Sequence, residues 1–352
     1  MRYRTLIPLL NTGNPAFQML VKTDNAGTSA SNQFTIPTSG LGYNYDVDWG
    51  DGTISSGVTG NITHTFPSIG NYVIKITGSF LRIVFNNGGD RLKLLEVQNW
   101  GVYGTGGNLQ NAAFSGCANM IITASDAPDL STTTTLSAFL QNCTSFNQSI
   151  NHWDVSNVTN FSLMFIGAST FNQSLNNWNV TSGTLFNSMF ELATAFNGDI
   201  TGWNVSSGSN FSRMFLFTTF NQNIGSWNVS GATNMSQMFA FANSFNQNIG
   251  SWNVSGATNM SQMFAFANSF NQNIGSWNIA NVTNFTNFMQ GKTAANYSAS
   301  NLDAIYNGWS ALAVQPNLNI NFNTIKYTAA GTAGRNILTG APNNWTITDG
   351  GI

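Results

Sequence analysis

Charge is what this sequence lacks most. Only 7% of its 352 residues are Asp, Glu, Lys or Arg, against about 25% in typical soluble proteins. Eleven are basic and 13 acidic, and none lies between residues 214 and 291. Neutralising nucleic-acid phosphates takes clustered Lys and Arg, and an anionic membrane surface takes the same, so neither partner is expected. Long apolar runs are also lacking. None approaches the ~18 residues of a membrane span. The only histidines are His64 and His152, and the only cysteines Cys117 and Cys143. Neither histidine has a Ser-His-Asp or metal-ligand context. Glutamate is confined to Glu96 and Glu191, so a glycosidase-like carboxylate pair would have to be built from Asp. The chain is therefore expected to bind rather than catalyse, without a cofactor.

Aromatic residues are abundant: 27 Phe, 10 Trp and 8 Tyr. That composition excludes intrinsic disorder. Asn, Ser, Thr, Gln and Gly must supply the solubility, and an interior without Lys or Arg offers nothing to trypsin-like proteases, which suits an extracellular setting. The opening MRYRTLIPLLNTGN begins with basic residues like a secretion signal. Its apolar stretch is short and broken by Pro8, so it reads as a first strand. A virion component released by lysis, or a clipped start, would each reconcile an external location with that reading.

The aromatics recur. Trp153, Trp178, Trp203, Trp227, Trp252 and Trp277 are spaced by 25, 25, 24, 25 and 25 residues. Phe-Asn pairs precede them, from Phe146 to Phe270, and Met-Phe pairs follow, from Met164 to Met263; at Phe288-Met289 the order reverses and the array ends. Residues 220–244 recur unchanged as residues 245–269. A period of 25 lies within the range of leucine-rich repeats. Phe220, Ile224, Trp227 and Val229 read as a short extended segment. Met235, Met238, Phe239 and Phe241 follow at spacings closer to a helical turn. One coil is thus expected to be a strand, a turn, a short helix or 3₁₀ segment, and a return, with strands of adjacent coils stacked in parallel. A single coil buries too little to offset its ordering entropy, so stability must come from stacking. Cys117 and Cys143, 26 residues apart, would lie on neighbouring coils. Two buried thiols in one core column is the preferred reading, and a bridge between them the other.

Strings such as FNQSINHWDVSNVTNFSLMF, starting at Phe146, resemble the BspA-type leucine-rich-repeat surface proteins, the family also called DUF285. AFSGCANM, starting at Ala113, resembles the Phe-x-x-Cys coil of the same family. The resemblance covers about half of the chain and implies a repeat solenoid that acts as a surface adhesin of bacteria or protists, or as a phage component. Asn follows Trp in five coils where the family often has Asp, as Asp154 still does; this removes charge and weakens any carry-over of a ligand. YNYDVDWGDGT from Tyr43 and NITHTFPSIGNYVIKITG from Asn61 resemble PKD-type, immunoglobulin-like β-sandwich modules, which serve as spacers or docking units. Tyr72, Ile74 and Ile76 alternate as in a sandwich strand.

The expected organisation is a PKD-like β-sandwich over residues 1–85, an N-terminal cap with atypical first coils over 86–145, the regular repeat solenoid over 146–292, and an α+β cap over 293–352. In the last segment Ser300 can cap a helix carrying Leu302, Ile305, Tyr306, Trp309 and Leu312 on its apolar face, and strand-like stretches follow.

Two candidate sites stand beside plainer readings. Asp46, Asp48 and Asp51 crowd a glycine-rich turn and are a candidate Ca²⁺ site, although PKD-like modules use such residues to brace the turn. His64 reads as a structural histidine beside it. The six repeat tryptophans, at coil spacing, are a candidate platform for sugar rings; the preferred reading places them in the core with each indole N–H bonded to an Asn. Asn and Gln columns such as Asn221-Gln222-Asn223 are expected to form amide ladders along the stack. Asp154 and Asp199 fall at different coil positions and make a poor catalytic pair. The expected function is adhesion or receptor binding, on a phage virion in preference to a bacterial surface. The N-terminal module would dock to the particle or cell, and the solenoid would meet a cell-surface glycan or protein. The rival is an architectural coat, fibre or filament subunit that self-associates as a homo-oligomer.

Overall fold

A computed structural model describes residues 15–104 and 109–352; the stretch 1–14, read above as a strand, lies outside them. The N-terminal region is a mixed β-sheet. Strands β1 (Phe17–Lys22), β2 (Gln33–Ile36), β3 (Asn44–Asp48), β4 (Ile54–Val58), β5 (Ile62–Thr65), β6 (Asn71–Ser79), β7 (Leu94–Asn99) and β8 (Ile121–Ile122) build a six-stranded sheet in the order β4-β3-β6-β1-β7-β8 and a separate β2-β5 pair. Alternation sets the register. In β1, Phe17, Met19 and Val21 are buried while Gln18, Leu20 and Lys22 are half-buried, and β1 runs antiparallel to β6 with Phe17 opposite Ile76 and Val21 opposite Tyr72. A one-residue slip would turn that whole apolar set outward. Tyr45, Phe80, Phe17 and Tyr103 close the core, with Tyr45 and Tyr103 each placing a ring 5.0 Å from a neighbouring Phe ring.

The sheet does not stop where the first domain was expected to end. β7, in the segment read as a cap, pairs antiparallel with β1 and parallel with β8, Glu96 opposite Ile121 and Val97 opposite Ile122. That offset equals one repeat, so coil stacking starts on the N-terminal sheet itself.

From Leu109 onward single parallel bridges link Thr135, Asn160, Leu185, Asn210, Asn234, Asn259 and Asn284 in turn. The bridge falls just before the Met-Phe segment, not in the segment from Phe220 to Val229 where a strand was expected. The expected helix is also absent: residues of the repeats form no helix in the structure. The Met-Phe segment is instead a chain of tight turns. Met238 N–H donates to Met235 O, Ala240 to Gln237 O and Ala242 to Phe239 O, while alternate residues (Met235, Gln237, Phe239, Phe241) donate to the next repeat at Asn259, Ser261, Met263 and Ala265. Gln237 and Phe241 have left-handed φ of 57° and 56°, and the pattern recurs at Ser188 and Leu192, at Arg213 and Phe217, and at Gln262 and Phe266. A residue with positive φ every fourth position turns the chain back before a helix can propagate. A turn chain with period four imitates helical spacing in sequence.

Along the stack the buried aromatics form continuous columns. Phe161, Phe186 and Phe211 stack at 5.5 and 5.3 Å, Phe239 and Phe264 at 5.8 Å, and Trp178, Trp203 and Trp227 at 6.4 and 6.3 Å. Near-parallel rings at these separations hold each repeat in register on the next. One buried cluster runs from Phe17 to Trp345.

The C-terminal segment is a small α+β unit: helix α1 (Ala299–Trp309), strand β9 (Asn319–Asn321), a 3₁₀ turn (Ala329–Gly331), helix α2 (Thr332–Thr339) and strand β10 (Thr346–Thr348), parallel to β9. The N-cap of α1 is Ser298, which accepts from Asn301 N–H, and not Ser300. Leu302, Ile305, Tyr306 and Trp309 are buried as expected, whereas Leu312 lies beyond the helix. This unit extends the repeat columns by other means. Tyr297 stacks on Phe270 at 6.4 Å. Trp309 donates its indole N–H to Ile274 O, as Trp277 does to Ile249 O one repeat earlier. Lys292 takes the column position of Ala242 and Ala267 and is fully buried. Its Nζ donates to Ala267 O, Asn268 O, Phe270 O and Asn296 O at 2.6–3.1 Å. Burial pushes its pKa down to about 8. Among the described residues no helix is long and apolar enough to cross a membrane.

Candidate binding surface

The tryptophans proposed as a sugar platform face inward. Trp153, Trp178, Trp203, Trp227, Trp252 and Trp277 are each at most 3% exposed, so no ligand can stack on them. Their N–H groups do not bond to Asn either. Trp178, Trp203, Trp227, Trp252 and Trp277 donate to a backbone carbonyl of the previous repeat, Ile150, Leu175, Ile200, Ile224 and Ile249 respectively, at 2.8–3.4 Å. Each of these carbonyls already accepts the backbone N–H of the tryptophan of its own coil, so the indole of the next coil supplies a second donor and ties the two coils together. Trp153 follows an irregular repeat and has no such partner; it meets Trp100 edge-on at 5.4 Å, and both indole N–H groups are unpaired.

The residue after each tryptophan braces a turn. Asp154, Asn179, Asn204, Asn228, Asn253 and Asn278 accept through Oδ1 from the backbone N–H two residues on. Asp and Asn serve this geometry equally, which explains why the exchange for Asn leaves the coil intact. Hydrogen bonds from Ser156 hold the Asp154 carboxyl below its usual value. Asp199 braces a turn at another coil position by accepting from Thr201.

The expected amide ladder is present in a specific form. The Oδ1 of Asn147, Asn172, Asn197, Asn221 and Asn246 accepts the backbone N–H of the equivalent Asn one repeat later, at 2.7–2.9 Å, and Gln247 and Gln272 add Nε2 bonds to Asn221 and Asn246. A hydroxyl column runs beside the bridges: Thr159, Thr184, Thr233, Thr258 and Thr283 each donate to the carbonyl of the residue one repeat back, at 3.1–3.2 Å. Polar side chains are thereby fixed in rows at one-repeat spacing. Such a surface offers ordered donors and acceptors and, between residues 214 and 291, no charge.

Asp46, Asp48 and Asp51 do not converge. Asp46 accepts from Gly57 N–H, Asp48 from Gly50 N–H, and Asp51 from Thr53 N–H and Oγ1. The second Asp51 oxygen meets His64 Nε2 at 2.8 Å, and the His64 ring stacks on Trp49 at 4.5 Å. Desolvation raises the Asp51 pKa, but bonds from Thr53 and His64 outweigh it and hold the carboxyl below its usual value. The carboxylates are spent on their own turn, and among the described residues no group of three His, Cys, Asp or Glu could hold a metal ion. His152 is exposed and bonds Asp126 O. Cys117 and Cys143 are free, buried thiols whose pKa values burial drives up.

One surface feature escaped the sequence reading. Phe241, at the spacing expected of a helical turn, lies instead with Leu192, Phe217 and Phe266 along the surface, Leu192 44% and Phe217 42% exposed and Phe241 and Phe266 half-buried. The alternation in MFAFA was the available signal; it was absorbed into the helical spacing.

Against known proteins, the family described as "Mycoplasma protein of unknown function, DUF285" matches residues 108–219 and, overlapping them, 209–302, together more than half of the chain. No curated protein and no solved structure matches.

Proposed function

This chain belongs to the DUF285 family, and on that premise we propose that it is a non-enzymatic adhesion or receptor-binding protein whose repeats form a leucine-rich-repeat-type solenoid. The observation that carries the reading is the exterior of the stack: rows of amides and hydroxyls, fixed at one-repeat spacing by the ladders from Asn147 to Asn271 and from Thr159 to Thr283, on coils without ionisable groups between residues 214 and 291. Fixed rows of donors and acceptors lose little side-chain entropy when they meet a partner. The carboxylates that catalysis would need are engaged in turns, Asp154 and Asp199 among them.

The N-terminal region serves as a PKD-like docking module. The WGDG turn braced by Asp48, Asp51 and His64, and the β2-β5 pair beside the larger sheet with Phe34 and Ile36 in the shared core, support that reading. The partner is a cell-surface glycan or protein, and the setting is the exterior of a virion or a cell. Binding of the purified full chain to candidate receptor cells, followed from low to high salt, tests the reading. Contacts made by neutral hydrogen bonds and apolar surface should change less than about threefold between 50 mM and 500 mM NaCl, where exposed charge pairs would be largely screened. A steep salt dependence, or no binding to any cell surface with immunogold label confined to cytosol, overturns it.

A further inference from the structure

Asn-x-Ser/Thr triplets, the acceptor sequence for sugars linked through nitrogen, recur throughout the regular repeats. A composition rich in Asn, Ser and Thr produces them freely, so the triplet alone selects nothing. The structure sorts those of the regular repeats into four columns. Asn157 and Asn281 spend their Nδ2 on Ser131 O and Ser255 O of the preceding coil, at 2.8 and 2.7 Å. Asn160, Asn210, Asn234, Asn259 and Asn284 are half-buried in the parallel bridges. Asn147 and Asn172 are locked into the amide ladder, each holding a backbone N–H of the coil beyond. The fourth column differs. Asn179, Asn204, Asn228 and Asn253, on four consecutive coils, are exposed. Each uses only Oδ1, which accepts from the N–H two residues on. Their Nδ2 atoms make no hydrogen bond, and their own peptide groups take no part in the bonds between coils.

We propose that Asn179, Asn204, Asn228 and Asn253 are a row of N-glycosylation sites. In the transfer, Nδ2 bonds to the anomeric carbon of a phosphate-activated sugar, and the bond from that carbon to the phosphate oxygen breaks. One amide proton passes to a base of the transferase, and the phosphate leaves as its anion. The product keeps what the fold needs: Oδ1 still braces its turn, and the sugar sits on an atom that no other part of the chain uses. In the other columns the same addition displaces a bond to the preceding coil, forces bulk into a half-buried bridge or crowds the amide ladder. Val180, Val205, Val229 and Val254, the middle residues of the four triplets, are buried. A transferase therefore meets the triplet before the coil closes, and folding retains the chains whose sugars lie where the stack leaves room. The column also carries its own controls. Asp154 has no amide, and Asn278 is followed two residues on by Ala280 instead of a hydroxyl residue. Adjoining Trp rings are 6.3–6.4 Å apart, so bulky sugars crowd on successive coils and occupancy of alternate coils is expected. Sugars at Asn228 and Asn253 would hydrate the stretch between residues 214 and 291 that has no charge. The proposal rests on the external setting of the reading above and not on adhesion.

Site mapping by mass spectrometry of the full chain, recovered folded from the organism or particle that makes it, tests this. Trypsin has no site between residues 214 and 291, so chymotrypsin cuts the chain. Enzymatic release of the sugars in heavy-oxygen water leaves a labelled Asp at each Asn that carried one. Residues 220–244 and 245–269 are identical, so Asn228 and Asn253 are read together. Labelled Asp is expected in the row, with Asn157, Asn210 and Asn281 unlabelled. A row without sugar overturns the proposal. So does sugar on Asn157, Asn210 or Asn281 at equal or greater occupancy. The combined Asn179→Asp, Asn204→Asp, Asn228→Asp and Asn253→Asp variant, made in the same cells, keeps the turn braces, as Asp154 does. It should fold like the native chain and lose the sugar mass of the row; a folded variant that keeps the full sugar mass also overturns the proposal. Receptor binding of the chain with and without sugar is a separate readout, so adhesion can fail while the row stands, and the reverse.

Discussion

Replacing Gln237 by Ala and by Gly decides between a helical repeat and a turn-chain repeat. Both substitutions remove the side-chain bonds to Arg213 and Gln262, so their difference reports the backbone alone. In a helix, Gly would be about 1 kcal/mol less stable than Ala. At φ 57° the alanine Cβ instead carries a penalty of about 1–2 kcal/mol that Gly escapes. The greater freedom of Gly in the unfolded chain returns about 0.4–1 kcal/mol of that. The Gly variant should therefore exceed the Ala variant by roughly 0.5–1 kcal/mol, a reversal of the helical order. Urea unfolding followed by tryptophan fluorescence measures it, since the indole column runs through the repeat stack. If Ala proves the more stable by about 1 kcal/mol, the left-handed assignment, and with it the turn-chain account of the repeat, is refuted.

Other outcomes follow from single residues. Lys292 has a folded-state pKa of about 8, below its unfolded value of ~10.4, so the folded state binds fewer protons between the two. Lys292 should therefore contribute roughly 1–2 kcal/mol of added stability from pH 8 to pH 9.5, read in urea titrations as the difference between the native chain and Lys292→Met in the change between the two pH values, because Cys117 and Cys143, whose pKa values burial raises, act in the opposite direction in both proteins. Trp252→Phe removes the indole donor from Ile224 O, which keeps the backbone N–H of Trp227, and opens space in the column; a loss of about 1–3 kcal/mol is expected, and a loss below about 0.5 would count against the indole's role in tying the coils together. Asp154→Asn should be neutral within about 0.5 kcal/mol, while Asp154→Ala should lose about 0.5–2 by analogy with cap removal, both read from thermal melts. Cys117 and Cys143, buried with raised pKa values, should resist a thiol reagent at pH 8 in native protein and react fully in denaturant; rapid native labelling would contradict their burial.

The repeat was legible in the sequence because stacking demands it. A column of indoles or phenyl rings can form only if the same residue returns after one coil, so the spacing from Trp153 to Trp277 gave the period, the inward columns and the end of the array near residue 291. One N-terminal strand, β6, was legible from the alternation of Tyr72, Ile74 and Ile76, and the turn bracing near His64 from residue type. What the sequence left open was how each coil is wound. A turn chain with a left-handed residue every fourth position, as at Gln237 and Phe241, and a short helix place apolar residues at nearly the same intervals. Backbone hydrogen bonds to the next repeat, invisible in one repeat alone, decide between them. The same bonds turned Phe241 toward the surface, put the indole N–H groups on backbone carbonyls rather than on Asn, and let Trp309 reach from a helix into a column that spacing alone would have ended at Trp277. Periodicity is a property of the chain and can be read from it; the direction in which a side chain points at a turn depends on which neighbouring strand of the stack takes up its backbone, and only the assembled tertiary structure supplies that neighbour.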